Sequence, residues 1–171
     1  MMIESSRQAA RILVAAVLIS ASISSAADVS IGAPPPDQIG VQGKTPVRVS
    51  DASGKVRIVT FWASWCPPCR RELPVLAQIQ AQVGTDHLQV YAINYKESPN
   101  TYRTLMKKLD GLSEMRFLHD TDGRVGAAYG VNGLPLMVII DRDGNVAHIH
   151  RGYADSVIDT VINELNALLA S

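Results

Sequence analysis

The only two cysteines of the chain, Cys66 and Cys69, are separated by two prolines in the run FWASWCPPCRR. A thiolate is a nucleophile, and two thiols at this spacing can alternate between a dithiol and a disulfide. A bridge between these positions closes too short a loop to add much stability, because loop-closure entropy rewards long loops. The pair is therefore predicted to be a redox reagent rather than a structural crosslink.

The position of the pair along the chain indicates which sulfur reacts first. A nearly continuous apolar run from Val56 to Phe61 predicts a buried strand, and apolar residues at helical spacing predict a helix from Pro67 to about Val83. Unpaired N–H groups and the helix dipole stabilise negative charge where a helix begins. Cys66 is therefore predicted to be the attacking thiolate, and Cys69 the thiol that resolves the mixed disulfide.

The two prolines between the cysteines affect the acidity of the first thiol. Pro67 suits the first helical position, whereas Pro68 removes a second backbone donor. We therefore expect a less acidic Cys66 and a more reducing couple than a turn with more N–H groups would give. Arg70 and Arg71 would act in the opposite direction if their side chains folded back onto the turn.

Metal binding is the main alternative interpretation of the cysteines. A structural zinc site usually needs four ligands, and the sequence has no second cysteine pair. A Cu(I)-binding module that uses the two soft thiolates is an alternative of a different functional class. His148 and His150 alternate on a predicted strand and could share one face with a metal, but solvent-facing histidines are the preferred interpretation.

The elements around the cysteine pair alternate between strands and helices, which indicates an α/β layered fold with a mixed sheet. Val47 to Ser50 is predicted to form a hairpin with the buried strand, through the turn at residues 51–55. Beyond the first helix, strands are predicted at residues 88–95, 117–118, 136–141 and 146–150, and helices at residues 99–109, 123–129 and 155–169.

Composition and the first residues bear on location and partners. Lys plus Arg and Asp plus Glu both count 16, so neither nucleic acid nor an anionic membrane surface is indicated as a partner. Residues 1–27 have the basic start, short apolar run and small residues of a secretory signal. The alternative is an uncleaved N-terminal anchor, in which case the membrane is also a partner. Residues 28–46 are predicted to be an extended lead-in and residues 47–171 the folded domain.

The run FWASWCPPC after a buried strand, together with RELP at residues 71–74 and YAINYKES at residues 91–98, resembles one family. It is similar to the TlpA/ResA-type periplasmic thiol-disulfide oxidoreductases of the thioredoxin superfamily. The resemblance implies a thioredoxin-like fold whose mixed central sheet is flanked by helices, with an N-terminal β-hairpin extension and a central βα insertion.

The same resemblance carries implications for function. It implies a periplasmic protein-disulfide reductase without a cofactor or metal, with a disulfide-forming oxidase as the alternative. The implied partners are cysteine-containing exported proteins, of the cytochrome c maturation or copper-oxidase assembly type, and a membrane-bound thiol electron donor.

The resemblance also assigns residues to the substrate site. Trp65 corresponds to a tryptophan beside the exposed sulfur, and the Leu134-Pro135 pair matches a cis-proline turn that faces the cysteines. With Pro67 and Pro68, these residues are expected to line the substrate groove, where the backbone before the cis-proline pairs with an extended client segment.

One further acid is implied as a proton acceptor. Thr60 occupies the position of the buried aspartate of ordinary thioredoxins, and a threonine cannot accept a proton at neutral pH. Glu97 matches a glutamate of the TlpA/ResA relatives. We expect a partly desolvated carboxyl there, with a raised pKa, to accept the proton of Cys69; the alternative interpretation is an exposed loop acid.

Overall fold

The computed structural model describes residues 29–112 and 114–170. The segment predicted as a signal, residues 1–27, lies outside the described residues. Within the described part of the chain, no helix combines the length and the apolar character that crossing a membrane requires.

A five-stranded mixed sheet organises the described residues, in the order β5-β4-β3-β6-β7. β3, β4 and β5 are parallel, whereas β6 runs antiparallel to β3 and β7 antiparallel to β6. In chain order the elements are β1 (Gln38–Gln42), β2 (Thr45–Arg48), β3 (Val56–Trp62), α1 (Pro67–Val83), β4 (Leu88–Tyr95), α2 (Pro99–Lys108), β5 (Arg116–Asp120), α3 (Arg124–Ala128), β6 (Leu136–Ile140), β7 (Val146–Arg151) and α4 (Asp155–Ala170).

The central strand β3 is buried along its whole length, and its side chains alternate between two apolar clusters. Ile58 and Trp62 belong to the cluster that includes residues of α1 and α4, whereas Val59 and Phe61 belong to the cluster that includes the N-terminal hairpin. A strand covered on both faces is predominantly apolar, as five of the seven residues of β3 are. α1 therefore begins a short loop after a fully buried strand.

The hairpin predicted between residues 47–50 and β3 is wrong. β2 pairs with β1 through the two-residue turn of Gly43 and Lys44, in which Gly43 has a φ of 65°. β3 already has β4 on one side and β6 on the other, so neither edge is free for a hairpin partner. Residues 49–52 form a 3₁₀ turn instead, and the extended lead-in expected at residues 28–46 contains β1 and the first residues of β2.

The other element predictions agree with the structure to within a few residues. α1 and β4 have the predicted limits, and β6 and β7 form the predicted antiparallel pair. α2 and β5 lie between β4 and α3 and supply the βα insertion that the resemblance implied. The thioredoxin-like α/β fold with a mixed central sheet and flanking helices is confirmed.

Candidate active site

The two cysteines meet at the start of α1. Cys66 and Cys69 form a disulfide with an Sγ–Sγ distance of 2.04 Å, and both residues are buried. Cys66 is the N-cap residue, and the N–H of Cys69 donates to Cys66 Sγ at 3.2 Å. The predicted capping position is confirmed, and the helix start aims its free N–H group at the first sulfur.

The residues expected to line a substrate groove differ in exposure. Trp65 is 66% exposed, an unusual position for an indole, and Pro67 is also exposed while Pro68 is half-buried. The Leu134–Pro135 bond is cis, as the resemblance implied. Leu134 packs against the apolar cluster that contains both cysteines. Contact of these residues with a client stays a prediction.

Glu72 is a buried acid of this site that the sequence analysis missed. It lies three residues after Cys69 on α1, so the two side chains share one face of the helix. It is 1% exposed, and the hydroxyl of Thr60 donates to its Oε1 at 2.6 Å. Burial raises the pKa of Glu72 to about 7 against the opposing effect of that hydrogen bond.

The signal for Glu72 was present in the sequence. An acid placed three residues after Cys69 and directly before Leu73 must lie near the buried face of α1. Thr60, which lacks a titratable group, lies opposite this acid on β3. Glu72 on α1 therefore supplies the titratable group that Thr60 lacks.

Glu97 is buried, as a proton acceptor would need to be, but its expected rise in pKa is wrong. It follows β4 and is 8% exposed. The N–H of Ser64 donates to Glu97 Oε2 at 2.8 Å, the Ser64 hydroxyl donates to Oε1, and Asn94 Nδ2 donates to Oε2 at 2.6 Å. Desolvation pulls the pKa of Glu97 upward, but these hydrogen bonds and the nearby His119 hold it below its ordinary value.

The geometry of Glu97 changes what this acid can do. Its carboxylate accepts two hydrogen bonds from Ser64, which lies two residues before Cys66 in the loop between β3 and α1. A carboxylate with a lowered pKa is a poor proton acceptor but a strong hydrogen-bond anchor. A catalytic role for Glu97 in accepting the proton of Cys69 stays a prediction.

Arg70 folds back onto the loop before Cys66, whereas Arg71 lies against Tyr153. Arg70 Nη1 donates to the carbonyl of Ser64 at 3.4 Å, and the Arg71 guanidinium lies 5.8 Å from the ring centroid of Tyr153. Ser64, in the loop before Cys66, therefore contacts both the Arg70 guanidinium and the Glu97 carboxylate.

In the described part of the chain, no group of three or more His, Cys, Asp or Glu side chains could hold a metal ion. His148 and His150 do share one face of β7, and both contact Glu164 of α4. His148 Nδ1 lies 3.1 Å and His150 Nε2 2.7 Å from the two carboxylate oxygens. The interpretation of these histidines as solvent-facing holds in part for His148, whose side chain is 37% exposed, and is wrong for His150, whose side chain is 16% exposed.

Comparison with known proteins identifies consistent relatives. The Redoxin family model matches residues 31–166. The thiol:disulfide interchange protein DsbE homolog of Paracoccus denitrificans is 36% identical over 97 residues, which cover 57% of this chain and 51% of that protein. The thiol-disulfide oxidoreductase ResA of Bacillus subtilis is 31% identical over 118 residues, 68% of this chain and 65% of that protein. The chain thus spans between half and two thirds of the length of these curated relatives.

Solved structures agree with the fold. A crystal structure from Chlorobium tepidum, described as a DsbE-type thiol:disulfide interchange protein, superimposes with a TM-score of 0.73 at 31% identity. The match covers 83% of this chain and 99% of that one. A second Chlorobium tepidum structure, a thiol:disulfide interchange protein of the thioredoxin family, gives a TM-score of 0.66 at 26% identity over 84% of this chain and 99% of that one.

Proposed function

The chain belongs to the Redoxin family, and we propose that it is a thiol-disulfide oxidoreductase that reduces disulfides in exported proteins. The observation that carries this proposal is the pair of cysteines at the start of α1, where Cys66 caps the helix and Cys69 lies within bonding distance of it. The thiol-disulfide oxidoreductases among its relatives support the same reaction class.

The reaction proceeds in two exchange steps. The Cys66 thiolate attacks one sulfur of a client disulfide, forms a mixed disulfide and releases the other client sulfur as a thiolate. Cys69 then loses its proton and attacks Cys66 Sγ, which closes the Cys66–Cys69 disulfide and releases the second client sulfur. Two electrons pass to the client, and the enzyme is left in the oxidised form.

The second step needs a group that takes the proton of Cys69. Glu72 fits this role because it lies one helical turn beyond Cys69 and has a pKa of about 7, so it is poised between its acid and base forms at neutral pH. Glu97 is proposed to act differently, by holding Ser64 and hence the turn that carries Cys66.

The reducing direction is supported by the donors around the first sulfur. The N–H of Cys69 donates to Cys66 Sγ, but the residues between them, Pro67 and Pro68, have no N–H to offer. A thiolate with fewer donors is less stabilised, which favours the disulfide form and hence a reducing couple. A reduction potential near the roughly −120 mV of a strong oxidant would contradict this direction and favour the disulfide-forming alternative.

The proposed location and partners are supported by the sequence and by the resemblance. The basic and apolar start of the chain supports export to the periplasm, where the oxidised enzyme would be recharged by a membrane-bound thiol electron donor. Clients with paired cysteines, such as haem-attachment or copper-site cysteines, are the substrates that the resemblance suggests. Trp65 and the Leu134-Pro135 turn are proposed to contact the client beside the disulfide.

The proposal is tested by trapping the client and by turnover. Cys69→Ala should accumulate a mixed disulfide between Cys66 and a client, whereas Cys66→Ser should form none and should lose insulin reduction. A pre-reduced wild-type enzyme that leaves insulin intact would contradict the proposal. Stoichiometric binding of Cu(I) by the reduced pair, without thiol exchange, would favour the copper-binding alternative.

A further inference from the structure

A chain of hydrogen bonds links the cysteine loop to a histidine on the edge of the sheet. Ser64 donates through its N–H and its hydroxyl to the carboxylate of Glu97. The backbone carbonyl of Glu97 in turn lies 2.8 Å from His119 Nε2. His119 is half-buried on β5, where it is the register partner of Asn94, which also binds the Glu97 carboxylate.

The chemistry of these groups fixes the histidine tautomer. A carbonyl oxygen can only accept, so His119 Nε2 must carry a proton and donate to Glu97. The hydroxyl of Thr121 lies 3.2 Å from the other nitrogen, Nδ1, and 3.4 Å from Nε2, and it can donate to a bare nitrogen or accept from an N–H. The bond to Glu97 therefore persists whether the ring is neutral or protonated.

The histidine ring is itself held in place. Tyr102 of α2 stacks on it with a centroid separation of 4.4 Å and an interplanar angle of 8°. The residue before Glu97, Lys96, has a φ of 55°, a left-handed conformation that persists in a non-glycine residue only where the surroundings enforce it. Two residues of β5 restrain this segment: the Asp120 carbonyl accepts from the N–H of Lys96 at 2.9 Å, and His119 donates to the carbonyl of Glu97.

We propose that His119 is a positioning residue for thiol exchange, acting through Glu97 to hold Ser64 and the turn that carries Cys66. This inference rests on the proposed function, since it concerns the rate of that reaction. His119 touches neither sulfur in the contacts described, so its effect is indirect. It aligns the nucleophile by restraining the loop that precedes it.

Two substitutions separate this role from ordinary packing. His119→Phe keeps an aromatic ring for Tyr102 but removes the donor, whereas His119→Gln keeps an N–H donor but removes the ring. We expect pre-reduced His119→Phe to reduce insulin about threefold to tenfold more slowly, the effect of one lost hydrogen bond, and His119→Gln to recover most of the rate. A packing role predicts the reverse order, with the Phe variant active and the Gln variant slow.

A double-mutant cycle tests the route through Glu97. On a Glu97→Ala background, His119→Phe should slow the reaction little further, because the group that it positions is gone. Additive losses in the double variant would overturn the proposal. Should His119→Phe fail to fold, nitrogen NMR of the wild-type imidazole decides: a proton on Nε2 supports the proposal, and a neutral ring protonated only on Nδ1 overturns it.

The outcomes also separate this inference from the proposed function. If wild-type protein does not reduce insulin, the oxidoreductase proposal fails. If it reduces insulin and both His119 variants match it, only the positioning role fails.

Discussion

Replacing Glu72 with glutamine should make the oxidised protein more stable, and only at neutral and higher pH. The ordinary pKa of a glutamate is 4.5, and burial raises that of Glu72 to about 7. Between these two values the folded protein retains a proton that the unfolded chain releases. Stability therefore falls as pH rises through this window, and the full cost is present above about pH 7.

The size of the effect follows from the shift. Each unit of pKa difference corresponds to about 1.4 kcal/mol, so a rise from 4.5 to about 7 makes the carboxylate cost about 3 kcal/mol of unfolding free energy. Glutamine resembles the protonated acid in shape and can still accept from the Thr60 hydroxyl, so Glu72→Gln should remove this cost without opening a cavity. The variant should gain on the order of 3 kcal/mol at about pH 8 and almost nothing at about pH 4.5.

Urea unfolding at the two pH values measures this difference directly. The disulfide form is the one to use, because disulfide-bonded cysteines do not titrate and cannot add a pH dependence of their own. Subtracting the wild-type curve from the variant curve removes the titration of every other group. An equal stability difference at both pH values would refute the raised pKa and, with it, the proposed role of Glu72 as proton acceptor.

Three further expectations concern other buried positions. Glu97→Gln should lower the unfolding free energy, the opposite of the effect at Glu72, because the lowered pKa of Glu97 makes its carboxylate stabilising at neutral pH. Urea unfolding should show that this loss shrinks as pH falls below about 4.5. Gly126→Ala should destabilise by about 1–3 kcal/mol in thermal or urea unfolding, because a Cβ there would overlap the Tyr95 ring, whereas Gly111→Ala meets open space and should not. Gln80→Met should cost about 1–3 kcal/mol in the same assay, because it leaves two backbone groups of β4, each bonded at 2.7 Å, without their partner.

Local patterns in the sequence were enough to predict most elements and the cysteine site. α1 was predictable because Pro67, the apolar spacing after it and Gly84 define a helix without reference to the rest of the chain. The partner of β2 was not predictable, because strand pairing depends on which edges the sheet leaves free. A turn signal at residues 51–55 could not reveal that both edges of β3 were already occupied.

The two acids of the site illustrate a second limit. Glu72 and Glu97 are both acidic and both buried, yet burial dominates the pKa of one and hydrogen bonding that of the other. The difference depends on where Thr60, Ser64 and Asn94 direct their donors in the folded protein. A sequence can place a carboxyl near the cysteines, but the sign of its pKa shift is a property of contacts that only the fold creates.

The opposite pKa shifts of these acids suggest why the site contains both. Desolvation favours the neutral form of each carboxyl, and every donor opposes that effect. Glu72 receives one hydrogen bond, from Thr60, and can therefore gain and lose a proton near neutral pH. Glu97 receives three and stays ionised, so it can hold the Ser64 loop without exchanging protons with the thiols. A single acid could not both accept the proton of Cys69 and hold the Ser64 loop. A carboxylate that takes up a proton weakens the hydrogen bonds it accepts, so the turn that carries Cys66 would loosen during thiol exchange.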